Sequence, residues 1–384
     1  MSPLRVAMIG HGFMGAAHSQ GWRVAPHFFD LPARVEMACL VGRSLGSARA
    51  AANRWGWHNS SDDWRTVVAD PSIDIVDIVT PSDSHAEIAV AALNAGKHVL
   101  CEKPLANTVA EAEEMAVAAI QATTISMVGF TYRRVPAIGL AKRLVDQGMV
   151  GDIQHVTASY LQDWLIDPEV PLTWRLDKER AGSGALGDLG THAIDLAQYV
   201  TGSFLSAVSG TLQTIVTERP LLGEKVGLSG TTRTERGEVT VDDRALIVGR
   251  FDSGALATFE ATRFSTGRKN ALRLEVSGSR GAVAFDLEAM NTLQVFDATA
   301  PNDRQGFTSV IATEPSHPYV SAWWPAGHML GYEHAFSHQV ADFVTAISEG
   351  IPISPTFAEG LQVQRTLQAV ETSAQSGSVW TTVE

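Results

Sequence analysis

Residues 4–15 read LRVAMIGHGFMG, an apolar run followed at once by glycines at 10, 12 and 15. The chain then continues into AAHSQGW, so a strand, a tight turn and a helix follow one another without a break. Each glycine has its own task in such a unit. Gly10 makes the turn, Gly12 lets the backbone approach a pyrophosphate, and Gly15 lets the helix lie close to the strand. The phosphates then meet the positive N-terminus of that helix. The pattern predicts a dinucleotide site with Gly10, Gly12, Phe13, Met14 and Gly15 against the cofactor.

Beyond this unit the chain keeps the same rhythm. VEMACLVG (35–42), IDIVDIVT (73–80), KHVLCEK (97–103) and ISMVGF (125–130) have the apolar character of buried strands. LGSARAAANRWG, HAEIAVAALNAG (85–96) and VAEAEEMAVAAIQ (109–121) have helical spacing. Strands alternating with helices of about a dozen residues imply right-handed crossovers and a parallel sheet. The expectation is an α/β Rossmann domain over residues 1–129.

The second half changes character. A helix at 135–148, a strand at 153–164 and a helix at about 184–202 give way to short β runs such as RALIVGRF, ALATFEAT and ALRLEVSG. Gly, Asp and Ser turns between them point to a C-terminal α+β domain, residues 130–384, built on a largely antiparallel open sheet. Two helices, in YEHAFSHQVADFVTAISEG and FAEGLQVQRTLQAVETSAQSG, close it. The polar, glycine-rich stretch 216–240 reads as a loop. An open sheet leaves an apolar face for another subunit, so a homodimer or homotetramer is expected.

Bulk properties narrow the function classes. The 384 residues are too many for one ordinary core. A formal charge of −13 opposes nucleic acid and anionic membrane surfaces, and no stretch is long and apolar enough to span a bilayer. The basic segment 133–144 suits a helix with a solvated face. Cys39 and Cys101 lie in strand-like runs and read as reduced core residues of a cytoplasmic protein, and the opening strand leaves no room for a signal peptide.

Three segments carry chemistry. In IVTPSDSHAEIA (78–89), Thr80 and Pro81 fall at the C-terminal end of a parallel strand, the edge where ligands of such sheets bind, and His85 is grouped with them as a cofactor contact. Pro81 is equally a turn former. In CEKPLA (101–106), Lys103 ends the next strand on the same edge, with Glu102 beside it. Half-desolvated there, its amine would suit proton transfer or alkoxide stabilisation; a snorkelling surface lysine has the same spacing. In GSGALGDLGTHAIDLAQYV (182–200), Asp188 and His192 share one face of a predicted helix and Asp195 reaches towards it. A carboxylate beside an imidazole orients the ring as a general base requires, although a surface ion pair looks the same in sequence.

The end of the second strand departs from the NAD pattern. An acid normally stands there for the ribose 2′-hydroxyl, whereas this chain has Gly42, Arg43 and Ser44. A cation with a hydroxyl and no carboxylate accepts a 2′-phosphate, which tilts the NAD(P) expectation slightly to NADP. His334 and His338 have zinc-like spacing, with His317 and His328 nearby, but packing or capping is the reading and no metal is expected.

Taken together, GHGFMG, TPSDSHAEIA, CEKPLA and GDLGTHAID resemble, in order and spacing, the glucose–fructose oxidoreductase/inositol dehydrogenase family (Gfo/Idh/MocA) along essentially the whole chain. YLQDW, WRLDKERAGSGALGD, VDDRA and FEATR are most similar to its branch of pyranoside dehydrogenases that includes levoglucosan dehydrogenase. The resemblance implies oxidation of a secondary hydroxyl of a pyranose, anhydrosugar or cyclitol by hydride transfer to nicotinamide. Lys103, Asp188 and His192 would be the catalytic set: His192 the base, Lys103 the cation that steadies the alkoxide, Asp188 an orienting group. Glu102 would lie against the cofactor. Tyr132, Gln162, Trp164, Arg175, Tyr332 and Glu333 are candidate substrate contacts beside Asp188 and His192.

Two other classes remain open at this level. A glycosidase with transient redox–elimination would keep the same lysine and cofactor site, without net NADH. A non-catalytic sugar or NAD(P) sensor would keep the fold, but has no need of the three proton-handling groups.

Overall fold

In the computed structural model, residues 2–226 and 229–384 are described, and the chain divides into two compact units. The first unit runs to Arg134 and adds Gly331–Gln364; the second comprises Val135–Leu330 and Arg365–Glu384.

The first unit is built on β1 (Leu4–Ile9), β2 (Val35–Val41), β3 (Asn59–Ser61), β4 (Ile75–Ile78), β5 (His98–Cys101) and β6 (Ser126–Val128). They form one six-stranded sheet in the order β3-β2-β1-β4-β5-β6, paired in parallel throughout. That is the order of a doubly wound dinucleotide fold, with the strand order reversing between β1 and β4. Helices α1 (Phe13–Phe28), α2 (Leu45–Trp55), α3 (Trp64–Ala69), α4 (His85–Asn94) and α5 (Val109–Gln121) make the crossovers. The central strands are buried on both faces, which is why their sequences are nearly unbroken apolar runs. Thr108 starts α5 with a capping box to Glu111.

Gly10 turns the chain out of β1 at φ +112°, and a Cβ there would stand 2.7 Å from the Val79 carbonyl oxygen. Both facts exclude any other residue. Gly12 is the N-cap of α1 with open space around it.

The helix His334–Glu349, which the sequence pattern assigned to the second domain, belongs to the first unit. Its Val340, Phe343 and Val344 join Val6, Met8, Trp22 and Leu40 in one buried cluster. Sequence distance hid this, because an amphipathic stripe does not say which face it will meet.

The second unit carries β7 (Ile153–Leu161), β8 (Leu205–Gln213), β9 (Glu218–Val226), β10 (Ser229–Glu238), β11 (Arg244–Phe251), β12 (Leu256–Thr262), β13 (Ala271–Gly278), β14 (Gly281–Asp286), β15 (Thr292–Asp297), β16 (Thr308–Ile311) and β17 (Thr381–Thr382). Nine of these make a mixed, mostly antiparallel sheet in the order β16-β15-β14-β13-β7-β12-β11-β8-β17. Its one parallel pair is β7 with β12. The helix Thr191–Thr201 packs on β7, β12 and β13. On β11 buried and exposed residues alternate, so Leu246 and Val248 face outward.

One sequence expectation is corrected here. Within the stretch read as a loop over 216–240, Glu218–Val226 and Ser229–Glu238 pair antiparallel as β9 and β10, with Glu218 opposite Glu238 and Pro220 opposite Arg236; residues 227–228 of that reading lie outside the described residues. The sequence there has no period-two hydrophobic alternation, so strand pairing is invisible in the pattern. No helix among the described residues is long and apolar enough to cross a membrane.

Candidate active site

The first unit gathers the predicted cofactor residues at the C-terminal edge of its sheet. Gly10 ends β1, Thr80 and Pro81 follow β4, and Glu102 and Lys103 follow β5. Parallel strands of this order present that edge to ligands. The open backbone at Gly12, leading a helix of 16 residues, fits a pyrophosphate. Thr80 Oγ1 accepts a hydrogen bond from Ser84 Oγ at 2.8 Å, which fixes the turn.

His85 is buried, with its ring nitrogens 2.9 Å from the Pro104 carbonyl and 3.0 Å from that of Thr80. Its side chain ties the two loops together, and burial lowers its pKa. The sequence reading grouped it with the cofactor contacts; both ring nitrogens are engaged in this tether. Met14 packs on the first unit's core.

Beside the glycine turn stands an aromatic row. The exposed Phe13 ring stacks on Tyr332 at 6.2 Å between centroids, and Tyr332 meets Tyr132 at 6.3 Å and Phe336 at 5.1 Å. Burial, with the charges of Tyr132 and Glu102, pushes the Tyr332 phenol far up, so it remains a hydrogen-bond donor at neutral pH. Glu333 lies beside it at the start of its helix, half-exposed.

At the end of β2, a Cβ on Gly42 would run into the His11 ring at Cδ2. The imidazole therefore fills the space where an acid's side chain would start. His11 Nε2 also lies 3.2 Å from Ser47 Oγ. Arg43 and Ser44 are exposed, and Ser44 caps α2 without a side-chain hydrogen bond. Sequence reasoning missed His11; a ring one position from Gly10 was the available signal.

In the second unit the predicted substrate residues form one connected set. His192, 9% exposed, meets the Tyr160 ring edge-on at 5.7 Å. Tyr160 Oη and Gln162 Nε2 both donate to Asn270 Oδ1, at 2.6 and 2.8 Å. Gln162 Oε1 accepts from Trp164 Nε1 at 2.9 Å, and the Arg263 guanidinium lies 5.4 Å from the Trp164 ring centre. Arg263 Nη2 donates to Asp188 Oδ2 at 3.0 Å. Burial lowers the Arg175 pKa; the Asp188 charge opposes that and Arg263 reinforces it, so Arg175 belongs to the same electrostatic neighbourhood.

The local backbone explains the placing of Asp188. Residues Leu186–Gly190 form a π turn that runs into the Thr191–Thr201 helix, where regular α-helix was expected. Asp242, from the VDDRA segment, accepts from the Gly184 and Leu186 amides at 2.7 and 2.8 Å and anchors its start. π turns are rare and concentrate at functional sites. Arg263 and Asn270 are the residues the sequence reading left without a task; FEATR contains the first of them.

Among the described residues no group of three or more His, Cys, Asp or Glu side chains is placed to hold a metal. His338 is buried against the Arg134 carbonyl at 2.8 Å, and His334 Nδ1 accepts from the Gly331 amide.

Comparison with known proteins bears on this geometry. Residues 4–130 match the model of an oxidoreductase family with an NAD-binding Rossmann fold, GFO/IDH/MocA, and residues 138–284 match the GFO/IDH/MocA C-terminal domain. The levoglucosan dehydrogenase of Pseudarthrobacter phenanthrenivorans is 43% identical over 383 residues, covering 98% of each chain. The crystal structure of an oxidoreductase domain protein from Kribbella flavida superposes with a TM-score of 0.95 at 57% identity, over 100% of both chains. A levoglucosan dehydrogenase in complex with NADH and L-sorbose superposes with a TM-score of 0.95 at 42% identity, again over 100% of both. The chain belongs to the GFO/IDH/MocA oxidoreductase family.

Proposed function

We propose that this family member oxidises a secondary hydroxyl of a pyranose, anhydrosugar or cyclitol to a ketone with NAD(P)+. The observation that carries the reading is the connected set His192, Tyr160, Asn270, Gln162, Trp164, Arg263 and Asp188, which links a base to sugar-compatible hydrogen-bonding groups and an aromatic face. The 1,6-anhydrosugar of the relative's name is the first substrate to test.

Bound NAD(P)+ supplies the acceptor for the carbinol hydrogen and its electron pair. The chain's own residues manage the proton and the charge. His192 takes the hydroxyl proton, and the Lys103 ammonium stabilises the oxygen as negative charge develops. Asp188, which accepts from Arg263, also accepts a hydrogen bond from a neighbouring hydroxyl and orients the ring. Trp164 offers its face to the sugar's C–H surface, and Gln162 and Arg175 contact further hydroxyls.

Gly10, Gly12 and Gly15 would hold the pyrophosphate. We place the adenosine ribose at Arg43, Ser44 and His11, where no carboxylate stands, so NADP is accepted at least as well as NAD. The exposed sheet residues Leu246, Val248 and Leu256 support a homodimer or homotetramer, and two free buried cysteines suit a reducing cytoplasm.

A panel of levoglucosan, glucose, inositols and glycosides, run with each cofactor at 340 nm, tests the reading. Net formation of reduced cofactor with at least one polyol is expected. Glycoside cleavage without net reduction would instead favour the redox–elimination class, and binding without turnover a sensor.

A further inference from the structure

Beneath the Lys103 loop lies a buried ionic row that the proposed proton and hydride transfers do not use. His18 of α1 is 1% exposed, Asp77 of β4 is 0% and Glu102 is 4%. His18 Nδ1 lies 2.9 Å from both oxygens of Asp77, and Nε2 lies 2.9 Å from Glu102 Oε1. Trp22 Nε1 also donates to Asp77 Oδ2 at 2.7 Å, and the Phe336 ring covers the imidazole at 5.4 Å.

The donor inventory decides the state of the ring. A neutral imidazole has one N–H, so one nitrogen would present a lone pair to a buried carboxylate at hydrogen-bond distance. With both nitrogens protonated, each carboxylate receives a donor. Burial by itself lowers the basicity of His18, but Asp77 and then Glu102 outweigh it and push the pKa up to about 10. The other oxygen of Glu102, Oε2, accepts the Lys103 backbone amide at 3.2 Å. A Cβ on Gly129 would stand 2.7 Å from Glu102 Oε1, so the residue opposite is a glycine that leaves room for this arrangement. The helix that follows the glycine turn is thereby joined to the backbone of Lys103.

We propose that His18 is a positioning residue: an imidazolium held between Asp77 and Glu102 that fixes the Glu102–Lys103 backbone, and so the Lys103 amine, relative to the first helix. The kinetic meaning of this rests on the alkoxide-stabilising role proposed for Lys103; the ionic state of the ring does not. The charged and titratable groups around it are Asp77 on β4, Glu102 after β5, the buried Cys101 thiol beside both carboxylates, and, beyond Glu102, Tyr332 and His85.

Histidine-selective 15N NMR of the full chain tests the ring, with its signal assigned by loss in His18→Gln. Both nitrogens are expected to remain protonated from pH 6 to 9; a neutral tautomer at pH 8 overturns the proposal. Asp77→Asn should bring the titration of His18 into that range, and no change would also count against it. In folded His18→Gln, kcat should fall about tenfold or more with KM for the sugar within about threefold, as expected for a lost charged hydrogen bond. The labelling rate of the Lys103 amine, mapped by peptide mass, should change at least severalfold in that variant. An unchanged kcat or an unchanged labelling rate contradicts positioning. NMR and labelling need no substrate, so a silent polyol panel would defeat the dehydrogenase reading without deciding this one.

Discussion

Arg263 donates from Nη2 to Asp188 Oδ2 at 3.0 Å and to the Gly184 carbonyl at 3.2 Å, while among the described residues its buried Nε and Nη1 find no acceptor. A fully buried guanidinium with unmet donors is a costly arrangement, and such exceptions call for an explanation. Here the guanidinium is committed to the Asp188 carboxyl within the π turn.

The first prediction comes from that asymmetry. Arg263→Met removes the guanidinium with its unmet donors but leaves Asp188 and the Gly184 carbonyl without their donor, so thermal stability should fall, less than for a fully buried pair because Asp188 is partly exposed. Activity should fall as well. Loss of a charged hydrogen bond to Asp188 should lower kcat/KM about tenfold to a hundredfold. Steady-state kinetics and a melting curve on the same preparation check both halves; a variant that loses stability and keeps activity would show that Arg263 only supports the fold.

His192→Ala should reduce kcat by about 10²–10⁴, the usual contribution of a general base. Tyr160→Phe keeps the ring against His192 and removes only the hydroxyl that donates to Asn270. Its effect should be much smaller. Equal losses in the two variants would mean that the Asn270 network, not the imidazole, limits turnover.

Cofactor choice is tested at His11 and Arg43. Arg43→Ala should lower kcat/KM for NADP about tenfold and leave NAD nearly unchanged, the expected loss of one phosphate contact. Gly42→Asp introduces the missing acid, but its Cβ runs into the His11 ring. The single variant should be impaired with both cofactors, and Gly42→Asp combined with His11→Ala should recover NAD alone. A wild-type enzyme with strong NAD preference would defeat the reading of Arg43.

Stability should have a maximum near neutral pH, set from two sides. Burial holds His338 down to about 3, so between there and its unfolded value near 6.5 the unfolded chain binds more protons. Stability is lost as pH falls through that window. His18, raised to about 10, acts oppositely: its contribution is complete below about 6.5 and is lost as pH rises towards 10. Melting temperatures from pH 4 to 9.5 should decline at both ends. His338→Gln should flatten the acid side only, and an unaltered acid side would contradict the assignment.

Legibility in the sequence varied with the physics of each part. Buried parallel strands announce themselves as apolar runs, so β1, β2, β4, β5 and β6 were visible, and Gly10 and Gly12 marked the turn. The open sheet showed in short β runs joined by Gly, Asp and Ser turns. The β9–β10 pairing was missed because the sequence there has no period-two apolar alternation. Asp188 and His192 were singled out by spacing, but the π turn that contains Asp188 is anchored by Asp242, well over a helix length away in sequence. Asp77 sits inside the apolar run IVDI, and its partner His18 lies 59 residues earlier, a separation that no local periodicity reports.

Transfer of the carbinol hydrogen tests the central claim most directly. A polyol that turns over, labelled with deuterium at the oxidised carbon, is incubated with the enzyme and NAD(P)+, and the released cofactor is analysed by mass spectrometry and NMR. The account predicts one deuterium at C4 of the reduced nicotinamide and an equimolar ketone, both slowed at least a hundredfold by His192→Ala. Label returned to the sugar or lost to water, with no reduced cofactor released, would contradict it.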